Sequence, residues 1–312
     1  MNRLGGAVLN WWFTPVPAGR VAAFRTLVYL FVPVDVFLTT PWVDLHKDVP
    51  GRLYDPLVVG HLLHLPTPTY ALVETVKWLL VVLAVAAATG WAPRLLGAAV
   101  FVLYFEWMII AMSYGKVDHD RFGYLVALAV LPTAGRARHG DRAPSEAGGW
   151  AFRCVQIGVI STYFLAAWAK MRFGGIGWFN GATIARAVLR RGTFVSDGLT
   201  HVRWILVVTQ WGIILFEFAS VLVLFLRPRW QYLAVAFFAL FHLVTWVSLT
   251  IIFLPHLVAM TSFLPLERVR LSNFLDREAG DRRRKSRFPV TLGVRHPREA
   301  QCSRSSGRSS PV

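Results

Sequence analysis

The sequence predicts an all-α, polytopic membrane helical bundle with seven or eight transmembrane helices, and three observations lead there. Of the 312 residues, 55% are hydrophobic and 14% aromatic, and the mean hydropathy is positive, which is too apolar for a water-soluble domain of this length. Apolar runs long enough to enter or cross a bilayer recur along the chain, with Gly and Pro at most of their junctions. Lys and Arg concentrate in the short loops between runs and in the C-terminal stretch, as they do on one side of multi-pass proteins.

Residues 1–20 form an N-terminal segment with Trp11, Trp12 and two prolines. They hold no continuous apolar core ahead of a small-residue site, so the first span is expected to direct insertion without a cleaved signal peptide. The membrane domain is assigned to residues 21–265. Its runs lie near 21–38, 71–91, 95–113, 121–134, 151–171, 203–226 and 230–265. The last is too long for one span and contains Pro255, so it is expected to hold two short helices or one helix and a re-entrant piece.

With an even number of spans, Arg94, the Arg136, Arg138 and Arg142 segment, the Arg227-Pro228-Arg229 turn and the tail fall on the cytoplasmic side together with the N-terminus. The protein is then a multi-pass protein of the cell membrane. The basic 172–203 segment falls outside in this scheme and is expected to form a surface helix. Residues 266–312, centred on Arg282-Arg283-Arg284-Lys285, are expected to be a disordered basic tail lying on anionic lipid. No aromatic residues interleave with that charge run to stack on bases, which argues against nucleic acid as a partner.

Charge inside or beside apolar runs marks the candidate chemistry, because a charged group at bilayer depth costs about 2.5–3.5 kcal/mol on insertion scales. Lys116, Asp118, His119 and Asp120 stand together between two runs. Tyr163 and Lys170, two helical turns apart, share a face with Ala166 and Ala167 between them. Glu106 and Glu217 lie well inside apolar runs, where a lone carboxylate is either protonated or paired. His242 stands mid-helix beside Phe241, as either a helix-to-helix hydrogen bonder or a ligand.

Glu74 and Lys77 are spaced to pair at a helix entrance, Arg25 to snorkel to the cytoplasmic face, and Asp35 to sit near the outer end of the first span. No His-x-x-His or carboxylate partner stands at metal spacing, and His256 after Pro255 does not supply one, so no metal is expected. The Gly174–Gly181 stretch lacks the Gly-Lys-Ser/Thr ending of a phosphate loop and reads as a turn with Trp178 at the lipid interface. No inverted repeat of interrupted helices suggests a permease.

Four stretches in order carry a resemblance: Ala22-Ala23-Phe24-Arg25, the segment from Tyr114 to Leu125, Tyr163 to Lys170 followed by Trp178 and Gly181, and Phe241-His242. Over residues 15–265 the chain resembles the horizontally transferred transmembrane (HTTM) domain, the membrane domain of the vitamin K-dependent gamma-glutamyl carboxylases. In that family a lysine deprotonates a reduced naphthoquinone, whose oxygenation yields the strong base that removes a glutamate γ-proton. The resemblance implies Lys116 as the catalytic base and reduced menaquinone or vitamin K hydroquinone as cofactor.

Asp120, Tyr163, Lys170, Glu217 and His242 would then line an outward-facing pocket with Lys116. Apolar surroundings would lower the lysine pKa toward a useful base, while Asp118 and Asp120 act against this. The bland alternative is a snorkelling lysine paired with Asp120. Lys170 either faces the quinone or an anionic lipid, or simply ends its helix. The family's enzymes continue into a large lumenal domain that holds protein substrate, so a quinol-linked process on a small substrate is expected here rather than peptide carboxylation. The non-catalytic alternative is a membrane accessory protein, as in short relatives associated with toxin or peptide maturation, export or lipid binding. Membrane lipids are the expected partners in either case, and the sequence designates no partner protein.

Overall fold

A computed structural model describes residues 3–268. The basic tail expected from residue 266 onward lies, from residue 269, outside the described residues. The architecture is a helical membrane bundle, as the sequence predicts. An amphipathic helix α1 (Arg3–Trp12) precedes a two-residue strand β1 (Val16–Pro17), which pairs antiparallel with β2 (Pro144–Ser145).

Among the described residues six helical stretches are long and apolar enough to cross a membrane. They are built on α2 (Ala18–Val34, continued by a π turn to Thr39), α3 (Tyr70–Ala88), α4 (Pro93–Met112), α6 (Glu146–Ala169, continued to Gly174), α8 (Arg203–Ala219, continued to Phe225) and α9 (Pro228–Leu249). Two apolar helices are shorter: α5 (Phe122–Val130, continued by a 3-10 turn to Ala134) and α10 (Leu254–Met260, continued to Phe263). Six reach full spanning length and these two fall well short of it, so the expected count of seven or eight is approximate. A surface helix, α7 (Ala182–Arg191), lies between α6 and α8, as expected for the basic segment.

Local chemistry sets several boundaries. Thr69 caps α3 by accepting from the Leu72 amide at 3.2 Å, and Ser145 caps α6 by accepting from Gly148 at 3.0 Å. Pro93, Pro228 and Pro255 each stand in the first turn of a helix, where no backbone donor is lost. The long run from 230 therefore breaks ahead of Pro255, at Thr250, whose φ of 56° is left-handed. One full helix and one short buried helix result.

Contacts define which ends face the same way. Arg20 Nε and Nη2 donate to Glu267 at 2.7 Å each, the Ala18 amide donates to Ala143 at 2.9 Å, and Thr26 donates to the Ala88 carbonyl at 3.1 Å. The start of α2, the α3–α4 turn, the loop before α6 and the end of the last helix thus gather at one end of the bundle. The Lys116 loop and the α7 segment lie at the other.

Apolarity cannot say which helix face is inside, because lipid is as apolar as the core. Along α2, Val21, Phe24, Val28 and Val32 are buried while Leu27, Leu30 and Val34 are exposed, all of them hydrophobic. Buried polar groups carry the information instead. Arg25, expected to snorkel, is 3% exposed and donates to Ala137 O at 2.8 Å and Gly135 O at 3.4 Å, so it closes the carbonyl end of the α5 segment rather than reaching water.

Helices α5 and α6 approach through glycine. A Cβ on Gly123 would lie 3.0 Å from Val159 Cγ2, and one on Gly158 would lie 3.2 Å from Val126 Cγ2. The expected Glu74–Lys77 pair forms at 2.8 Å and is extended by Lys47 and Asp44 from the preceding loop. Burial pushes the Asp44 carboxyl up, but hydrogen bonds from Lys77 and Lys47 outweigh it and leave the group below its ordinary value. The Lys47 ammonium is raised, chiefly by its hydrogen bond to Glu74 and then by Asp44.

Candidate functional site

The sequence-predicted site residues fall into three groups. At the end of α4 the chain leaves the helix at Ser113 and turns at Gly115, where φ is +79°. This carries Lys116 outward. Its Nζ lies 3.0 Å from Asp118 Oδ1 and 4.6 Å from the centre of the Trp42 ring, with the side chain 62% exposed. Two expectations are corrected here. The lysine pairs with Asp118 rather than Asp120, and it is not desolvated, because it stands on a loop instead of a packed helix face.

Asp120 belongs to the 3-10 turn His119–Arg121, which sets it against Arg121 Nη1 at 3.2 Å. Arg121 is the centre of this group, with its side chain 7% exposed. It reaches Asp35 at 3.3 Å, Asp118 at 3.5 Å and Thr39 Oγ1 at 3.2 Å. Asp35, fully buried at the π turn of the first span, also accepts from Tyr104 at 2.8 Å and from the Thr39 hydroxyl. Three carboxylates thus share Arg121, with Lys116 at the rim. Removing the arginine would strand buried carboxylates, a loss of about 3–5 kcal/mol for such pairs.

The second group is Tyr163, His242 and His256. Tyr163 Oη and His242 Nε2 are 2.7 Å apart, which joins α6 to α9. His256, on α10, stands edge-on to Tyr163 with ring centres at 4.9 Å, and 5.2 Å from His242. Phe238 stacks on Tyr163 at 4.6 Å, Phe253 packs on His242 at 4.7 Å, and Phe216 closes another side. His242 Nδ1 and both ring nitrogens of His256 are buried with no hydrogen-bond partner. Where the Tyr163 hydroxyl donates to Nε2, His242 Nδ1 is a free donor, and in the other tautomer it is a free acceptor; neutral His256 offers one donor and one acceptor. Buried polar atoms are normally bonded, so these atoms are an unsatisfied polar patch in an aromatic wall.

Lys170 and Glu217 make the third group. Lys170 Nζ lies 2.5 Å and 2.6 Å from the two carboxylate oxygens of Glu217, and 5.7 Å from the Trp178 ring centre. Glu217 is therefore paired, one of the two states expected of it. Trp178 packs beside Phe179, and its carbonyl accepts from the Gln210 amide, so the Gly-rich stretch folds inward on α8.

The turn carrying Asp120 and Arg121 packs against α10, the helix of His256. Lys116 makes no hydrogen bond or ion pair to Tyr163, Lys170, Glu217 or His242, so the single pocket expected from the sequence resolves into adjoining clusters. Glu106 Oε1 is buried without a hydrogen-bond partner among the described residues. Two grooves open elsewhere, one of about 570 Å³ at Ala92–Leu95, Gly135 and Arg136, the other of about 380 Å³ between Val188–Gly192 and Asp197–His201.

No protein-family model, curated protein or solved structure matches the chain. Among the described residues no group of three or more His, Cys, Asp or Glu stands ready to hold a metal ion. Along the chain His256 has no partner at ligand spacing, which hides its place beside His242. Its position one turn after the break in an apolar run was the available signal. Asp35 and Arg121 were separated by 86 residues, and only their depth in or beside apolar runs marked them.

Proposed function

We propose that this multi-pass membrane protein is HTTM-like, with quinol-linked chemistry on a small substrate, its N-terminal end on the cytoplasmic side. The observation that carries the reading is the His242–His256 pair. Its unpartnered ring nitrogens, set among Tyr163 and phenylalanines, suit a flat apolar ring bearing oxygens that accept and donate hydrogen bonds. Reduced menaquinone or a vitamin K hydroquinone is the proposed cofactor. Lys116 is the proposed base, on the strength of the resemblance, with Asp120, Tyr163, Lys170 and Glu217 around the path to it.

A specific observation favours the non-catalytic reading as the second: Lys116 is solvent-facing and salt-bridged. Purification in mild detergent followed by lipid extraction separates the two. Quinone should copurify with the wild-type chain and fall at least about tenfold in a His242→Ala/His256→Ala variant, a loss of about 1.4 kcal/mol. Lys116→Ala should bind quinone and lose turnover, and Lys116→Arg should not restore it. Absence of quinone from the wild-type protein, with no thermal protection by added menaquinone, sinks the enzyme reading and leaves the accessory role.

A further inference from the structure

The segment from Met171 to Arg203 is unlike the rest of the surface. It carries five arginines, Arg172, Arg186, Arg190, Arg191 and Arg203, against a single acid, Asp197. All five are exposed, and among the described residues none of them forms an ion pair, as with the exposed arginines elsewhere on the bundle. Beside them stand apolar side chains at unusual exposure: Phe173 at 85%, Ile176 at 86%, Leu189 at 80% and Phe194 at 92%. Basic and bare apolar groups on one short helix and its flanks are the pattern of an element lying in the plane of the membrane interface.

The segment is held firmly. Val188 is buried against the bundle, Thr193 Oγ1 donates to Val247 O at 2.8 Å, and Ser196 Oγ donates to Ser248 O at 2.7 Å. These bonds fix α7 on the end of α9 and leave the groove of about 380 Å³ between Arg190, Arg191, Thr200, His201 and Asp197. Two guanidinium groups can fork onto the oxygens of one phosphodiester. Asp197 would repel a bare phosphate dianion, but it accepts hydrogen bonds from hydroxyls, and Thr200 can do either.

We propose that this groove is a binding site for an anionic phospholipid with a hydroxylated headgroup, of the phosphatidylglycerol type. Arg190 and Arg191 hold the phosphodiester, Asp197 and Thr200 hold the headgroup hydroxyls, and Leu189 and Phe194 lie along the acyl chains. The charge balance favours a lipid over a polypeptide partner, because the bare apolar side chains already require hydrocarbon beside the cationic groove. The proposal is independent of any quinone chemistry.

The test uses the full chain purified in mild detergent and examined by native mass spectrometry with added lipids. Phosphatidylglycerol should be retained over phosphatidylcholine, and retention should fall at least about tenfold in Arg190→Gln/Arg191→Gln. The Arg190→Lys/Arg191→Lys protein, which keeps the charge without the fork, should recover only part of it. Asp197→Asn should lower phosphatidylglycerol retention while raising that of phosphatidic acid. Thermal unfolding of each variant at the wild-type temperature confirms that the fold is intact. Equal retention of phosphatidylglycerol by wild type and the glutamine variant overturns the site, and competition by soluble glycerol 3-phosphate as strong as by the lipid overturns the lipid assignment.

Discussion

Glu217 illustrates what a single residue in a membrane interior requires. Its carboxylate is 5% exposed and rests on Lys170 from another helix. Removing the lysine leaves an unpaired charge in apolar surroundings, whereas removing both ends leaves only altered packing. Lys170→Ala should therefore lower stability by about 3 kcal/mol, and Lys170→Met/Glu217→Met by clearly less, measured as unfolding midpoints in detergent. Equal losses would show that the pair contributes through packing alone. That Glu217 needed a partner was legible in the sequence, since a carboxylate deep in an apolar run has few options. That the partner is Lys170, 47 residues away, depends on how α6 and α8 rotate against each other, and no residue spacing records that. For Lys116 the sequence leaves a desolvated base and a snorkelling lysine both open, and Gly115, by turning the lysine out, favours the solvent-facing one.

At the level of helices, boundaries were legible wherever composition changes abruptly. The first three spans start and end within a few residues of the runs 21–38, 71–91 and 95–113. The turn between α3 and α4 shows why such boundaries hold. Gly90 has φ of +80°, and a Cβ there would stand 2.3 Å from Arg25 Nη2, the atom that donates to Ala137 O. Gly90→Ala should cost about 3 kcal/mol, combining left-handed backbone strain with a displaced charged hydrogen bond. Gly140→Ala is the control. Its φ is +78° with nothing within 4 Å of the added carbon, so only the backbone strain of about 1–2 kcal/mol should appear in the same unfolding assay. Comparable losses at both glycines would mean that Arg25 is free to move aside. The role of Arg25 was not legible, because a lysine- or arginine-bearing helix end reads as a snorkelling one until the carbonyls that receive it are located.

The whole bundle is closed at one end by Arg20 and Glu267, which join the first span to the chain beyond the last helix. Burial alone would raise the Glu267 carboxyl, but the Arg20 hydrogen bond outweighs it and the group lies below its ordinary value of 4.5. A lowered carboxylate stabilises the fold above its unfolded pKa, and that contribution is lost as pH falls through the lowered folded value. Glu267→Gln should hence be less stable than wild type at neutral pH, with the gap closing only below about pH 4.5 in thermal unfolding curves. A gap unchanged to lower pH would mean that the carboxylate charge is not what matters. The contacts at that end also set the course of the two short helices: Arg25 reaches the carbonyls just past α5 and Arg20 reaches Glu267 just past α10, so each runs back toward the end where α2 begins. Phe122–Ala134 rises about 20 Å and Leu254–Phe263 about 15 Å, against a hydrocarbon layer of about 30 Å. Non-helical chain at 113–118 and 250–253 makes up the difference. Beside Arg121 and His256 the helical part of the chain is thus roughly a third to a half shorter than a hydrocarbon layer, and irregular backbone meets the remaining depth.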